Sequence, residues 1–185
     1  MERIHQAQQR VHEQEARASE WNLQRDALLP GAVAGMLGAL AMTALALPLG
    51  ALTRGDLWYA ARLAGGVFFR ESPSGPWAVV LGLLVHVATA GGLATLFALL
   101  LPRGGTAIAA LFLGLLMALG LQAVMPALVA PWASPPLDRE APHAALLLLH
   151  LAFGASLGLV VPVRRVLASA DRARRAVQGV RAARA

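Results

Sequence analysis

The chain has 185 residues, of which 57% are hydrophobic and 14% charged, with a net charge of +6 and no cysteine. Soluble domains average roughly 45–50% apolar and about 25% charged residues, so this composition excludes an ordinary soluble domain and favours a membrane protein. The absence of cysteine excludes disulfides, thiolate metal sites and thiol catalysis.

The apolar excess is concentrated in four uncharged windows, which cover residues 27–53, 72–102, 104–137 and 141–163. A helix rises about 1.5 Å per residue, so about 20 apolar residues cross the roughly 30 Å of bilayer hydrocarbon. We therefore predict an all-α, polytopic membrane fold with four transmembrane helices, arranged as two tandem helical hairpins. The predicted membrane domain covers residues 29–163, with spans at about 29–49, 77–101, 107–128 and 142–163.

Residues 1–28 are polar and are predicted to form a cytoplasmic amphipathic helix that lies on the membrane surface. A coiled coil is the alternative, because apolar residues recur at heptad-like positions, although Gln14 and Arg25 interrupt the series.

Small residues recur every four positions in three of the spans, where they allow two helix backbones to approach closely. We interpret them as helix-packing residues inside the bundle, and a homodimer contact is the alternative for the set in the first span. The predicted packing residues are Gly31, Gly35, Ala39, Ala90, Ala94, Gly154 and Gly158.

The connection after the first span is too long for a tight turn and is predicted to hold an interfacial helix capped by Asp56. Trp58 and Tyr59 suit the headgroup level of a membrane. A second outer loop covers residues 130–141. The acidic side chains of both loops and His143 are interpreted as solvated, with a metal site as the alternative.

Gln122 carries the single amide side chain within the predicted hydrocarbon segments. A polar group in hydrocarbon needs a partner, so we predict a hydrogen bond to a histidine, a threonine or a carbonyl of a neighbouring helix.

Residues 164–185 combine seven arginines with regularly spaced apolar residues and are predicted to form a basic amphipathic helix. Twelve of the sixteen arginines fall on the side of the membrane that holds both termini, so the positive-inside rule places both termini in the cytoplasm. We expect this tail to bind the anionic headgroups of the bilayer and not nucleic acid. The predicted headgroup ligands are Arg164, Arg165, Arg172 and Arg175.

The order of these features resembles a family of uncharacterised bacterial four-span inner-membrane proteins. The resemblance covers residues 30–163 and rests on GxxxGxxxA in the first span, Leu57-Trp58, LGLLVH at 81–86, Gln122 with Pro126, and LLLHLAFGASLGL at 147–159. It implies a bacterial inner-membrane location and a four-span architecture, and no activity is assigned to the family.

His86 and His150 occupy corresponding positions in the second and fourth spans, at nearly one predicted depth. One interpretation is hydrogen bonding to neighbouring helices. Another is axial ligation of a b-type haem, because iron accepts neutral imidazole nitrogen between the helices of a bundle.

No span contains an aspartate or a glutamate, so we predict no catalytic residues. The sequence favours a non-catalytic structural or accessory subunit of a membrane assembly, as a homodimer or in a larger complex. A bis-histidine haem electron carrier is the first alternative, and a small transporter or channel is the second.

Overall fold

A computed structural model describes residues 21–182, which form helices joined by short connections, without any strand. A π-helical turn, Gln24–Leu28, leads directly into the first long helix. The helices are α1 (Leu29–Arg54), α2 (Tyr59–Phe69), α3 (Gly75–Leu100), α4 (Ala107–Val124), α5 (Ala130–Ala133), α6 (Pro135–Glu140), α7 (His143–Leu157) and α8 (Val160–Ala182).

Four of the helical segments are long and apolar enough to cross a membrane. They are Gln24–Arg54, Gly75–Leu100, Ala107–Ala133 and His143–Gly179. The prediction of an all-α, polytopic fold with four spans is therefore confirmed. The amphipathic helix predicted over residues 1–28 falls largely outside the described part of the chain, as do residues 183–185.

The first span extends beyond its predicted end at residue 49. Pro48 lies inside α1, and the helix ends only at Gly55, whose φ of 66° is left-handed. A residue without a β-carbon adopts this conformation at little cost, which makes glycine the usual helix terminator. The amide of Gly55 donates to the carbonyl of Ala51, so the last turn of α1 is closed by the backbone itself.

The four spans form an open arc in the order α3, α1, α7, α4. Helix α1 packs extensively against both α3 and α7, and α7 packs against α4, whereas α3 and α4 hardly touch. Neighbouring helices of the arc run in opposite directions, so their dipoles are antiparallel. The pairs α1–α3 and α4–α7 are the two expected hairpins, and α1 joins them by packing on α7.

Small residues lie at each crossing of the arc. A β-carbon added to Gly35 of α1 would lie 2.7 Å from the carbonyl oxygen of Ala90 on α3, which is closer than van der Waals contact. Gly31 faces Thr95 in the same way. Along the same crossing Ala39 and Ala94 are fully buried.

An adjacent side of α1 meets α7, where Gly38 lies against Ser156 and Phe153. On the far side of α7, Gly154 and Gly114 of α4 approach each other so closely that neither has space for a side chain. Helix α1 is therefore central because its glycines allow close approach of two neighbouring helices, α3 and α7.

The fourth span is interrupted where α7 ends and α8 begins. Pro162 has no amide hydrogen to donate to the carbonyl of Gly158, four residues earlier, and such a position kinks a helix. The turn tightens there, with the amides of Gly158 and Leu159 bonded to carbonyls only three residues back. Gly158 also lies against Leu111 of α4.

We call the end of the bundle that carries Asp26, Arg103 and Arg164 the tail end, and the end that carries α2, α5 and α6 the loop end. The predicted interfacial helix is α2, which packs against α3 through Gly65 and Gly82. Helices α5 and α6 lie beside it, after a π-helical turn (Met125–Val129) that extends α4.

Replacing Gly35 by Ala is expected to lower the free energy of unfolding by roughly 1–3 kcal/mol, the usual cost of overpacking. The added methyl group would force α1 and α3 apart. The change in stability is measured by titrating the detergent-solubilised protein with dodecyl sulfate and comparing the midpoints of helix loss.

Gly120→Ala is the matched control, because a β-carbon at Gly120 meets open space. An equal loss of stability in both variants would show that the effect of Gly35→Ala does not come from the close approach of α1 and α3.

Candidate functional site

A cavity of about 300 Å³ lies on the open side of the arc, in the half of the membrane domain nearest the loop end. Helices α1, α3 and α7 and the π-helical turn after α4 surround it, and α2, α5 and α6 cover it at the loop end. Its described lining is almost entirely apolar and includes no aspartate, glutamate or arginine. Typical lining residues are Met42, Ala64, Leu83, Met125 and Leu149.

Both intramembrane histidines line this cavity. The Nε2 atom of His86, on α3, lies 3.2 Å from the carbonyl oxygen of Ala39 on α1. A carbonyl only accepts hydrogen bonds, so Nε2 carries the proton and, in the neutral ring, Nδ1 keeps a lone pair. His86 thus links α3 to α1 and retains one acceptor atom.

His150 uses its other ring nitrogen. Its Nδ1 atom lies 2.9 Å from Oε1 of Gln122 on α4, and Nε2 of Gln122 donates to the backbone carbonyl of His143 at 3.3 Å. The second bond orients the amide so that its oxygen faces the imidazole, which makes Nδ1 the donor and leaves the lone pair on Nε2. The partner of Gln122 is thus a histidine and a carbonyl, both of the kinds proposed from the sequence.

The residues of the cavity do not suit a b-type haem. The described lining contains no cation to meet haem propionates. In addition, α1 lies between α3 and α7, and Nε2 of His86 already donates to Ala39. An imidazole that ligates iron through Nε2 would have to give up that bond.

At the tail end, Arg164 holds three helix ends together. It is only 8% exposed, and its guanidinium donates to the backbone carbonyls of Asp26 at 2.6 Å, of Leu101 at 3.1 Å and of Ala98. The last carbonyls of a helix have no partner within it, so an arginine at the end of α3 satisfies them and complements the helix dipole.

A buried carboxylate completes this tail-end cluster. Asp26 is 6% exposed and forms an ion pair with Arg103 at 2.9 Å, while it also accepts from the amide of Asn22. Arg25 reaches Asp171 of α8 at 3.6 Å, which joins the start of α1 to the tail.

The prediction of Arg164 as a headgroup ligand is wrong, because in the structure its side chain turns inward. The other three predicted headgroup ligands, Arg165, Arg172 and Arg175, are exposed along α8. The signal for the difference was present in the sequence: Arg164 directly follows the fourth span, at the level where α3 ends with Leu101-Pro102.

At the loop end, the two outer loops are bonded to each other. Arg139 of α6 pairs with Glu71 at 2.6 Å, and Arg70 donates to the carbonyl of Trp132 at 2.6 Å. The buried hydroxyl of Ser134 donates to the carbonyl of Leu63 on α2 at 2.7 Å. These contacts close the cavity on this side.

The loop acids considered as metal ligands lie in separate polar contacts. Asp56 pairs with Arg62, Glu71 pairs with Arg139, and Glu140 accepts from the hydroxyl of Tyr59 at 3.2 Å. Within residues 21–182 no group of three or more histidine or acidic side chains is placed to hold a metal ion.

Fold and polar contacts together define a multi-pass, all-α membrane protein with a covered apolar cavity. Comparison of the chain with protein-family models, curated proteins and solved structures gives no match.

Replacing Arg164 by Met keeps an unbranched apolar stem and removes the guanidinium donors. Because carbonyls of α3 and of the first π-helical turn would lose their partner, we expect a loss of about 1–3 kcal/mol in the free energy of unfolding. Arg165→Met is the control, and as an exposed substitution it should change stability by no more than about 0.5 kcal/mol. Equal effects of the two variants in dodecyl sulfate titrations would contradict a stabilising role for the hydrogen bonds of Arg164.

Tyr59 is the single tyrosine of the chain, so its ionisation can be followed by ultraviolet absorbance. Burial, and then the neighbouring Glu140, raise its pKa above the ordinary value of 10.0. Since the pKa is raised by folding, the stabilisation by the neutral phenol is complete below pH 10.0 and is lost as the pH rises through the folded-state pKa.

We expect Glu140→Gln to lower the pKa of Tyr59 and Arg54→Gln to raise it, because Arg54 opposes the shift. A titration that both variants leave unchanged would contradict the contact between the outer loops.

Proposed function

We propose that this chain is a non-catalytic, multi-pass protein of the bacterial inner membrane that acts as a structural or accessory subunit of a membrane assembly. The observation that carries the proposal is that polar side chains inside the spans form hydrogen bonds between helices. His86 joins α3 to α1, and His150 with Gln122 joins α7 to α4. Groups that hydrogen-bond between helices in this way stabilise the bundle.

The distribution of arginine supports an orientation with both termini in the cytoplasm. Arg165, Arg172 and Arg175 are exposed along α8, on the helix that continues from the fourth span. Each arginine near an anionic leaflet contributes about 1 kcal/mol, so α8 binds the headgroups of the inner leaflet. The protein partners in this proposal are a second copy of the chain or a larger membrane complex.

The orientation can be tested with single cysteines, because the chain has none of its own. Ser74 precedes α3 at the loop end and Ser169 lies on α8, and both are exposed. In intact cells, an impermeant thiol reagent should label Ser74→Cys from the periplasm, whereas Ser169→Cys should react only after the membrane is opened. Labelling of both from one side would overturn the proposed topology.

The visible absorption spectrum of the protein, expressed with haem supplied, distinguishes the proposal from electron transfer. A flat spectrum agrees with histidines that bond between helices. A Soret band that disappears in the His150→Ala variant would overturn the proposal and favour a haem electron carrier.

A further inference from the structure

The cavity presents three polar atoms that no described residue satisfies. They are Nδ1 of His86, Nε2 of His150 and the hydroxyl of Thr89, all on lining residues. Surrounding atoms do not seal off either ring nitrogen, and Thr89 is an exposed residue. A polar group without a partner in an apolar medium carries a large desolvation cost, so three of them around one apolar space favour a ligand that bonds to them.

The open side of the arc gives such a ligand a route from the bilayer. Thr89 lies midway along α3, and it is exposed although it lines the cavity. Helices α3 and α4 hardly touch, so the gap between them faces the hydrocarbon. The loop end, by contrast, is covered by α2 and by the bond between Ser134 and Leu63.

The chemistry of the lining selects the class of ligand. The two imidazole nitrogens accept hydrogen bonds, and the threonine hydroxyl both donates and accepts. Without aspartate, glutamate, lysine or arginine in the described lining, no permanently charged side chain would compensate a charged ligand in this apolar space. A neutral molecule with an apolar body and a hydroxyl group satisfies these conditions.

We propose that the cavity binds a hydroxyl-bearing apolar molecule, an alcohol or a phenol, which enters from the bilayer between α3 and α4. Its hydroxyl donates to an imidazole nitrogen of His86 or His150 and accepts from Thr89. A volume of about 300 Å³ is at the lower end of the range for small-molecule sites, so the pocket takes a ring or a short chain and any longer tail extends into the bilayer.

Trp58 lines the cavity and can report on its occupancy. The protein is prepared with Trp21, Trp77 and Trp132 replaced by Phe and is placed in bilayer nanodiscs. A ring-brominated alkylphenol is then titrated, and its quenching of Trp58 fluorescence is measured. The matched brominated alkylbenzene lacks the hydroxyl, and concentrations of both in the lipid are corrected for partitioning into protein-free nanodiscs.

Saturable quenching is expected for the phenol, with about tenfold weaker binding of the alkylbenzene, since one hydrogen bond is lost. Quenching that never saturates, or equal affinity of the two compounds, would overturn the proposal.

Two histidine variants replace the ring acceptor by an amide oxygen at a different position and keep the bonds that hold the helices. In His86→Gln the amide can still donate to Ala39, and in His150→Asn it can still donate to Gln122. Together with Thr89→Val, these variants are expected to weaken binding of the phenol by about five- to tenfold and to leave binding of the alkylbenzene unchanged.

Thr53→Val is the control, because Thr53 lies at the end of α1 and is not part of the lining. Its affinity for the phenol should match that of the parent protein. Unchanged affinity in all three lining variants, with dodecyl sulfate midpoints that show intact folding, would contradict hydroxyl recognition.

Discussion

Close approach of helix backbones is the constraint on which the rest of this structure depends. Apolar side chains gain nothing from burial against each other when lipid tails surround them, so packing must hold the spans together. Helix α1 meets this constraint on two sides, through Gly35 toward α3 and through Gly38 toward α7, and Gly154 repeats it between α7 and α4. The hydrogen bonds of His86 and His150 join two of these same helix pairs, α3 with α1 and α7 with α4.

The two hairpins do not pack as a symmetric pair. A twofold axis along the membrane normal would require α3 to meet α4 as α1 meets α7, and only the second of these contacts is made. The cavity lies where the other contact is missing. The asymmetry follows from the side chains, because the pairing of α1 with α7 has Gly38 at its centre, whereas the outer surfaces of α3 and α4 carry bulky exposed residues such as Leu84 and Leu116.

The number and approximate position of the spans could be predicted from the sequence, because hydropathy is a property of each segment alone. The small residues on α1 and α3 could also be read from their spacing. The pairing of the helices was harder to predict, because it depends on how two helix faces fit each other. Gly38, which faces α7, lies outside the predicted series at Gly31, Gly35 and Ala39. Arg164 was assigned to lipid because an arginine directly after a span suits a headgroup as well as the carbonyls at the end of α3, and which of the two it meets depends on how the helices pack.

The contact between Arg164 and Asp26 joins positions that are 138 residues apart in the chain. During synthesis the first hairpin can form as soon as α3 has been made. Arg164, which bonds to the end of α3, leaves the ribosome only after the whole of α7. Until then the Gly38 face of α1 also has no helix on it. The first hairpin must therefore persist in the bilayer by its own α1–α3 packing, through the contacts of Gly31 and Gly35 with α3.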